Sequence, residues 1–194
     1  MAAKPGERKL QILQTIAEML EQPKGEKITT AALAARLDLS EAALYRHFAS
    51  KAQMYDGLIE FIEQTVFGLV NKITTEEQDG MKQVESVLAM LLGFAKKNRG
   101  MTRVLLGDAL VNEDERLQQR INQFLDRVEA TLKQSLRIAA TQGKLAADAD
   151  FGAHANLLLC YVVGRWNQFG KSGYRRDPME QWPQQWGIFS RQFN

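Results

Sequence analysis

The side chains best suited to contact a charged ligand lie close together in residues 40–51, which read SEAALYRHFASK. This stretch holds a carboxylate, a phenol, a guanidinium, an imidazole and an ammonium group beside two serine hydroxyls. Arginine can donate two hydrogen bonds to guanine, glutamate can accept one from cytosine, and alanine can contact the methyl group of thymine. Cationic and hydroxyl side chains bind phosphates. The stretch is therefore suited to binding double-stranded DNA.

The predicted DNA contacts fall into two groups, those to phosphates and those to base edges. The phosphate contacts are Thr29, Thr30, Tyr45, His47 and Lys51, and the base contacts are Ser40, Glu41, Ala42 and Arg46. Phosphate contacts set the register of the protein on the duplex, whereas base contacts supply the specificity. The alternative is that Tyr45 only packs on the following helix and that Glu41 only supports the start of its own helix.

The chain has few groups that could perform catalysis or bind a metal. There are two histidines and one cysteine, and His47 lies within the predicted DNA-binding stretch. His154 and Cys160 are separated by about 240° around a helix, so their side chains do not meet. The chain contains no Cys/His metal spacing, no G-x-S-x-G motif and no phosphate-binding glycine loop. We predict no catalytic residue, no metal site and no cofactor, and so a protein that is not an enzyme.

Two short helical patterns between Lys27 and Lys51 position the predicted DNA contacts. Thr29 or Thr30 begins the first helix and Ser40 begins the second, because a hydroxyl accepts hydrogen bonds from the free N–H groups of a first turn. The residues on their inner faces are Leu33, Leu37, Leu44 and Phe48. Helices this short are marginal alone in water. We therefore predict a packed helix-turn-helix.

Helical periodicity covers most of the remaining sequence. The helices are predicted at Glu7–Glu21 (ended by Pro23 and Gly25), from a cap at Ser50 to Ile73, and at Met81–Lys97, Met101–Val111, Glu113–Gln142, Phe151–Lys171 and Pro178–Phe193. The helix after Ser50 has an apolar stripe formed by Tyr55, Ile59, Ile62, Val66, Leu69 and Ile73. Phe61 lies off this stripe. It either packs on a second helix or is exposed for a partner.

Composition favours one class of protein, an all-α protein of the cytoplasm. Of the 194 residues, 45% are hydrophobic, four are proline and one is cysteine. This apolar content is enough for a core, and a single cysteine excludes an internal disulfide framework. No apolar run approaches the roughly 20 residues that cross a bilayer, and the N-terminus lacks an apolar signal core. We expect no association with a membrane.

Charge and aromatic content divide the chain into a predicted DNA-binding domain, 1–50, and a dimerisation and partner-binding domain, 51–194. The net charge of +2 lies within the first 55 residues, since lysines and arginines balance acids in the remainder. Aromatic residues concentrate in the last two predicted helices, which would form a two-fold dimer face of four helices. The alternative is that these helices only close the core of one subunit.

The stretch SEAALYRHFASK resembles the signature of the TetR family, in which the recognition helix ends in Tyr-x-His-Phe and a Ser-Lys pair begins the fourth helix. The segments ITTAALA and GLIEFIE are similar to one branch of that family, the nucleoid occlusion factors. Similarity continues through LLGFAKKNRGMTRVL, ALVNEDERLQQRINQFLDRVEATL and RWNQF, and so covers nearly the whole chain.

The resemblance implies an all-α, TetR-like homodimer with an N-terminal three-helix DNA-binding domain and a C-terminal helical bundle. Proteins of this branch bind palindromic chromosomal DNA and, while bound, antagonise the division protein FtsZ over the nucleoid, with no small-molecule ligand required. The partner-binding residues carried over to this chain are Phe61, Met90, Gly93, Lys97 and Asn98.

The chain departs from the pattern of this branch at several positions. It has GERKLQ where the lead into the first helix is strongly basic, Leu69 and Lys97 where arginines are expected, and Asp38-Leu39 in place of a glycine-valine turn. Two other functions stay open. One is a ligand-responsive TetR-type repressor with a pocket lined by Met90, Phe94, Phe124, Tyr161 and Trp166. The other is a bundle used only for protein association, with a degenerate DNA-binding domain.

Overall fold

Helices form the regular structure of the described part of the chain, which in this computed structural model comprises residues 5–22 and 28–192. They are α1 (Pro5–Leu20), α2 (Thr30–Arg36), α3 (Glu41–Tyr45), α4 (Lys51–Glu76), α5 (Gly80–Lys97), α6 (Arg99–Leu105), a 3-10 turn (Asp108–Leu110), α7 (Glu115–Thr141), α8 (Phe151–Lys171) and α9 (Trp182–Gln192). The predicted all-α fold is confirmed. Pro23, Gly25, Lys27 and Phe193 lie outside the described residues.

The chain divides into two compact units. The first comprises Met1–Ile62 with Asn98–Ile121, and the second comprises Glu63–Lys97 with Asn122–Asn194, of which we discuss the described residues only. The segment Asn98–Ile121, which follows α5, therefore belongs to the same unit as the helix-turn-helix, although the two are distant along the chain. The functional boundary at residue 50 stays a prediction.

In the first unit, α6 packs against α1. The buried side of α1 is formed by Ile12, Ile16 and Leu20, whereas Leu10 is 40% exposed. Nη1 of Arg103 in α6 donates to the carbonyl oxygen of Leu20 at 3.1 Å and to that of Gln22 at 3.4 Å. An arginine that binds the last carbonyls of a helix stabilises its negative end. The end of α1 is thus held by α6.

The predicted stripe of α4 is correct in its first half and wrong at Leu69. Tyr55, Ile59 and Ile62 are buried, but Leu69 is 43% exposed and Val70 is buried in its place. Steps of three and four both continue a helical stripe. The buried residue that follows Val66 in the stripe is Val70, four positions further on. Phe61 is half-buried.

The second unit is built around α5, whose buried residues occur in nearly every turn. Trp166 of α8 is fully buried and its indole N–H donates to the carbonyl oxygen of Leu91 at 3.1 Å. Ser135 of α7 donates to Oε1 of Gln83 at 2.9 Å, which satisfies both buried polar side chains. These contacts join α5 to α7 and α8.

The last helix begins at Trp182, four residues later than predicted. The guanidinium of Arg165 explains the difference, because it donates to the carbonyl oxygens of Asp177, Pro178 and Glu180 at 2.8, 3.2 and 2.9 Å. The three residues whose carbonyl oxygens accept these hydrogen bonds therefore lie in a turn before the helix. The predicted helix Met101–Val111 is likewise shorter, since Gly107 at φ 80° separates α6 from the 3-10 turn.

The aromatic residues of α8 and α9 are either buried in the subunit or half-buried. Trp166, Phe169 and Trp182 are buried within the subunit, which supports the alternative that aromatic residues close its core, and the dimer face on these helices stays a prediction. The large apolar side chains exposed on these helices are instead Leu157, at 54%, and Ile188, at 56%. Among the described residues, no helix is both long and apolar enough to cross a membrane.

Candidate nucleic-acid interface

Hydroxyl caps begin the helices of the helix-turn-helix, as predicted. Oγ1 of Thr29 accepts from the backbone N–H of Ala32 at 3.1 Å, and Oγ of Ser40 accepts from that of Ala43 at 3.1 Å. Oγ of Ser50 accepts from the N–H of Gln53 at 3.1 Å, immediately before α4. The side chains inside the motif, Leu33, Leu37, Leu44 and Phe48, are buried. The caps and this small core fix the direction of α3.

The turn between α2 and α3 requires an unusual backbone conformation. Asp38 has φ 54°, in the left-handed region. Aspartate reaches this region more readily than most residues, but glycine does so without steric cost. The glycine that the TetR-like pattern has at this turn is therefore explained by the backbone.

The exposed face of α3 presents most of the predicted base-contacting side chains. Ser40, Glu41, Ala42 and Arg46 are all exposed, and Tyr45 beside them is 45% exposed. Among the described residues, the guanidinium of Arg46 forms no hydrogen bond or ion pair, whereas that of Arg36 lies 3.9 Å from the carboxylate of Glu18. The side chain of Arg46 can therefore reach a guanine without breaking such a contact. Arg46 is therefore the strongest candidate for base recognition.

A hydrogen bond joins two of the predicted DNA contacts to each other. The hydroxyl of Thr30 donates to Oε2 of Glu41 at 2.5 Å, and so links the first turn of α2 to the first turn of α3. The carboxylate of Glu41 thereby has a structural role, which supports the alternative that it stabilises the motif. These residues are 11 positions apart, and no helical spacing could have predicted their contact.

Lys51, at the first residue of α4, is held by partners within its own unit. Its ammonium lies 2.5 Å from Oε1 of Glu113 and 5.5 Å from the centre of the Tyr55 ring. Burial, and then the nearby carboxylate of Glu113, raise the pKa of Tyr55 to about 12. Glu113 is absent from the residues predicted from sequence, because 62 positions separate it from Lys51.

The residues predicted to bind a protein partner divide between the two units. Phe61 in α4 and Asn98 before α6 are half-buried and belong to the first unit. Met90, Gly93 and Lys97 follow one another at steps of three and four along α5, and so share one face of that helix. A Cβ atom added to Gly93 would meet nothing within 4 Å, so the space beside it is open in the subunit.

Three of the residues proposed to line the pocket of a ligand-responsive repressor belong to the buried core of the second unit. Phe94, Phe124 and Trp166 are buried, and the ring of Phe124 packs edge-on against Phe67 with 5.2 Å between centroids. A groove of about 540 Å³ lies elsewhere in this unit, lined by Leu125, Leu159, Cys160, Val163, Gly164 and Asn167. None of the five predicted pocket residues lines this groove.

Two family models match this chain, one in its N-terminal part and one in its C-terminal part. The family model for bacterial regulatory proteins of the tetR family matches residues 12–58, and the SlmA-like model, described as a tetracyclin repressor-like C-terminal domain, matches residues 78–194. A solved TetR transcription regulator from Haloarcula marismortui is similar in fold, with a TM-score of 0.82 and 16% identity, over 97% of this chain and 98% of that one. The fold and the helix-turn-helix are those of a TetR-type DNA-binding protein.

The chain is also similar over nearly its whole length to proteins of higher sequence identity. The nucleoid occlusion factor SlmA of Alteromonas mediterranea is 48% identical over 192 residues, which cover 99% of this chain and 98% of the relative. The nucleoid occlusion factor SlmA of a Marinomonas species is 44% identical over 191 residues, covering 98% and 97%. The chain belongs to the SlmA family of nucleoid occlusion factors.

Proposed function

We propose that this protein is a nucleoid occlusion factor that binds palindromic DNA as a homodimer and, while bound, antagonises the assembly of FtsZ. The observation that carries the proposal is the similarity to SlmA proteins, which extends through both the helix-turn-helix and the C-terminal helices. Similarity confined to residues 12–58 would support DNA binding but no particular output. The protein would act in the cytoplasm, associated with the nucleoid.

DNA recognition would depend on the exposed face of α3. Arg46 would read a base edge and the N–H groups at the start of α2, near Thr29, would bind phosphate. Tyr45, with nearly half of its surface exposed, is available for a phosphate contact. His47 is half-buried. Its imidazole would contact the backbone of the duplex from the end of α3.

Dimerisation would place two such helices on two half-sites of a palindrome. Leu157 on α8 and Ile188 on α9 are large apolar side chains exposed on the helices that TetR-type proteins are expected to pair. The apolar groove beside Cys160 lies on α7 and α8 and would be covered by the partner subunit. A second copy of the chain is the occupant that palindromic recognition requires.

FtsZ would bind through the five residues implied by the family resemblance. The open space beside Gly93 and the exposed ammonium of Lys97 lie on one face of α5, where a partner could approach. Phe61 and Asn98 would contribute from the unit that contains the helix-turn-helix.

Co-sedimentation of FtsZ polymers with the protein tests this function, with and without a palindromic duplex. We expect fewer polymers in the pellet only when the duplex is present. A protein that leaves the polymers unchanged under both conditions would contradict the proposal. Specific binding of the duplex without any effect on FtsZ would favour a transcriptional repressor instead.

Two variants separate the two steps of the proposed function. Arg46→Ala should lose specific DNA binding and, with it, the effect on FtsZ. Lys97→Glu should bind DNA normally but lose the effect on FtsZ, because its charge is reversed on an exposed position of α5. Lys82→Glu is the matched control, since Lys82 is also exposed on α5 but is not among the predicted partner contacts.

A further inference from the structure

One cation of the predicted DNA-binding surface is already paired within the chain. The ammonium of Lys51 and the carboxylate of Glu113 form an ion pair at 2.5 Å. The side chain of Lys51 is 22% exposed and that of Glu113 is 11% exposed, so water screens this pair less than it would a surface pair. The two residues belong to the same compact unit.

The backbone around Glu113 holds its carboxylate in place. The N–H of Glu113 donates to the carbonyl oxygen of Leu110 at 2.9 Å, and Asn112 before it has φ 66°, which turns the chain. On the other side, Nζ of Lys51 lies over the ring of Tyr55, one turn further along α4. The ammonium is therefore bound by a carboxylate and an aromatic face before any DNA arrives.

A paired lysine is a different phosphate ligand from a free one. A lysine contributes to DNA affinity because it neutralises a phosphate and releases a counterion. If its charge is already neutralised by a carboxylate, the phosphate must first displace that carboxylate. The displaced carboxylate is mostly buried, and a buried charge without its partner is unfavourable. Binding of phosphate by Lys51 therefore competes with Glu113.

We propose that Glu113 is an internal competitor of DNA, which lowers the affinity of the protein for the duplex by occupying Lys51. The segment that carries Glu113 follows α6 and would thereby set how strongly the start of α4 holds a phosphate. The inference rests on the proposed DNA-binding function and on the phosphate contact assigned to Lys51. It adds a residue outside the helix-turn-helix that limits DNA affinity.

The test is the salt dependence of binding to a duplex of random sequence, measured by fluorescence anisotropy with the full chain. Glu113→Gln should tighten binding by roughly two- to fivefold, the effect of a partly exposed ion pair. It should also steepen the plot of log affinity against log salt by about 0.9 for each subunit that gains a phosphate contact. Glu115→Gln removes the same charge from an exposed position nearby and should change the slope little.

A second substitution shows whether the gain passes through Lys51. In the Glu113→Gln background, Lys51→Gln should abolish the gain in affinity and slope, whereas in the native background it should have a smaller effect. Binding by Glu113→Gln that equals or falls below that of Glu115→Gln would overturn the proposal. So would a gain that survives the loss of Lys51. If Glu113→Gln fails to fold, Glu113→Asp keeps the charge with a shorter reach and should give a smaller gain in the same direction.

Random-sequence DNA separates this inference from the proposed function, because phosphate contacts do not depend on sequence. If the variants behave as expected but no palindrome is preferred and FtsZ is unaffected, the proposed function fails and the competition by Glu113 stands. If a palindrome is bound and FtsZ responds but Glu113→Gln has no effect, only the present inference fails.

Discussion

Gly100 of α6 lies directly against the backbone of Ala17 in α1. A Cβ atom at position 100 would lie 1.9 Å from the carbonyl oxygen of Ala17 and 2.8 Å from its carbonyl carbon. Backbone atoms cannot move aside as the end of a flexible side chain can. The two helices therefore touch at a point where only glycine fits, next to the carbonyls bound by Arg103.

Gly100→Ala should destabilise the first unit by about 2 kcal/mol or more, since overpacking of a rigid contact forces backbone shifts. Urea denaturation followed by circular dichroism measures the change. Gly68→Ala is the control, because Gly68 lies in the interior of α4 with nothing within 4 Å of an added Cβ. That variant should be more stable than the native protein by roughly 0.5–1 kcal/mol. Equal stability of both variants would mean that α6 is not held against α1.

Asp38→Gly should stabilise the helix-turn-helix, because glycine reaches the left-handed conformation of this turn without steric cost. We expect a net gain of less than about 1 kcal/mol in the free energy of unfolding, because the relief of the backbone is partly offset by the greater freedom of glycine in the unfolded chain. Asp38→Ala separates the backbone effect from the loss of the carboxylate. It keeps the Cβ atom and should be less stable than the native protein. If alanine stabilises as much as glycine does, the charge and not the backbone conformation is responsible.

The bond between Thr30 and Glu41 predicts that the two side chains are energetically coupled. A double-mutant cycle with Thr30→Val and Glu41→Gln should give a coupling free energy of about 0.5–1 kcal/mol, reduced from the value for a buried bond because this pair is exposed. Thermal unfolding of the four proteins measures it. Additive effects would show that Glu41 is free to contact DNA alone.

Local signals predicted much of the fold because the features concerned depend on neighbouring residues. The caps at Thr29, Ser40 and Ser50 follow from hydroxyls placed before apolar patterns. At Leu69, periodicity could not distinguish a step of three from a step of four. Leu69 is exposed, which is consistent with the arginine that the family resemblance implies at this position.

The contacts that the sequence could not predict join residues distant along the chain. Glu113 meets Lys51 across 62 positions, and Arg103 reaches Leu20 across 83. No repeating pattern relates such residues, since their proximity results from tertiary packing. The face of α3 was predictable as a surface, but the internal partners of Glu41 and Lys51 were not.

The ion pair between Lys96 and Asp177 predicts a loss of stability in acid. Their charged atoms lie 2.6 Å apart, and the hydrogen bond from Lys96 lowers the pKa of Asp177 below its usual value. A carboxyl whose pKa is lower in the folded protein stabilises it above the unfolded pKa of about 3.9, and that stabilisation is lost as the pH falls through the folded pKa. Both side chains are more than one-third exposed. Solvent screening therefore limits the contribution to less than about 1 kcal/mol.

Asp177→Asn should lower the free energy of unfolding at neutral pH by less than about 1 kcal/mol. The difference from the native protein should shrink as the pH falls to about 2. Urea denaturation across this pH range measures it. Lys96→Met removes the other partner and should reduce the effect of Asp177→Asn when the two are combined, because the hydrogen bond from the N–H of Met179 to the carboxylate remains. A difference that stays constant from neutral pH to the acid end would show that the carboxylate of Asp177 gains nothing from Lys96.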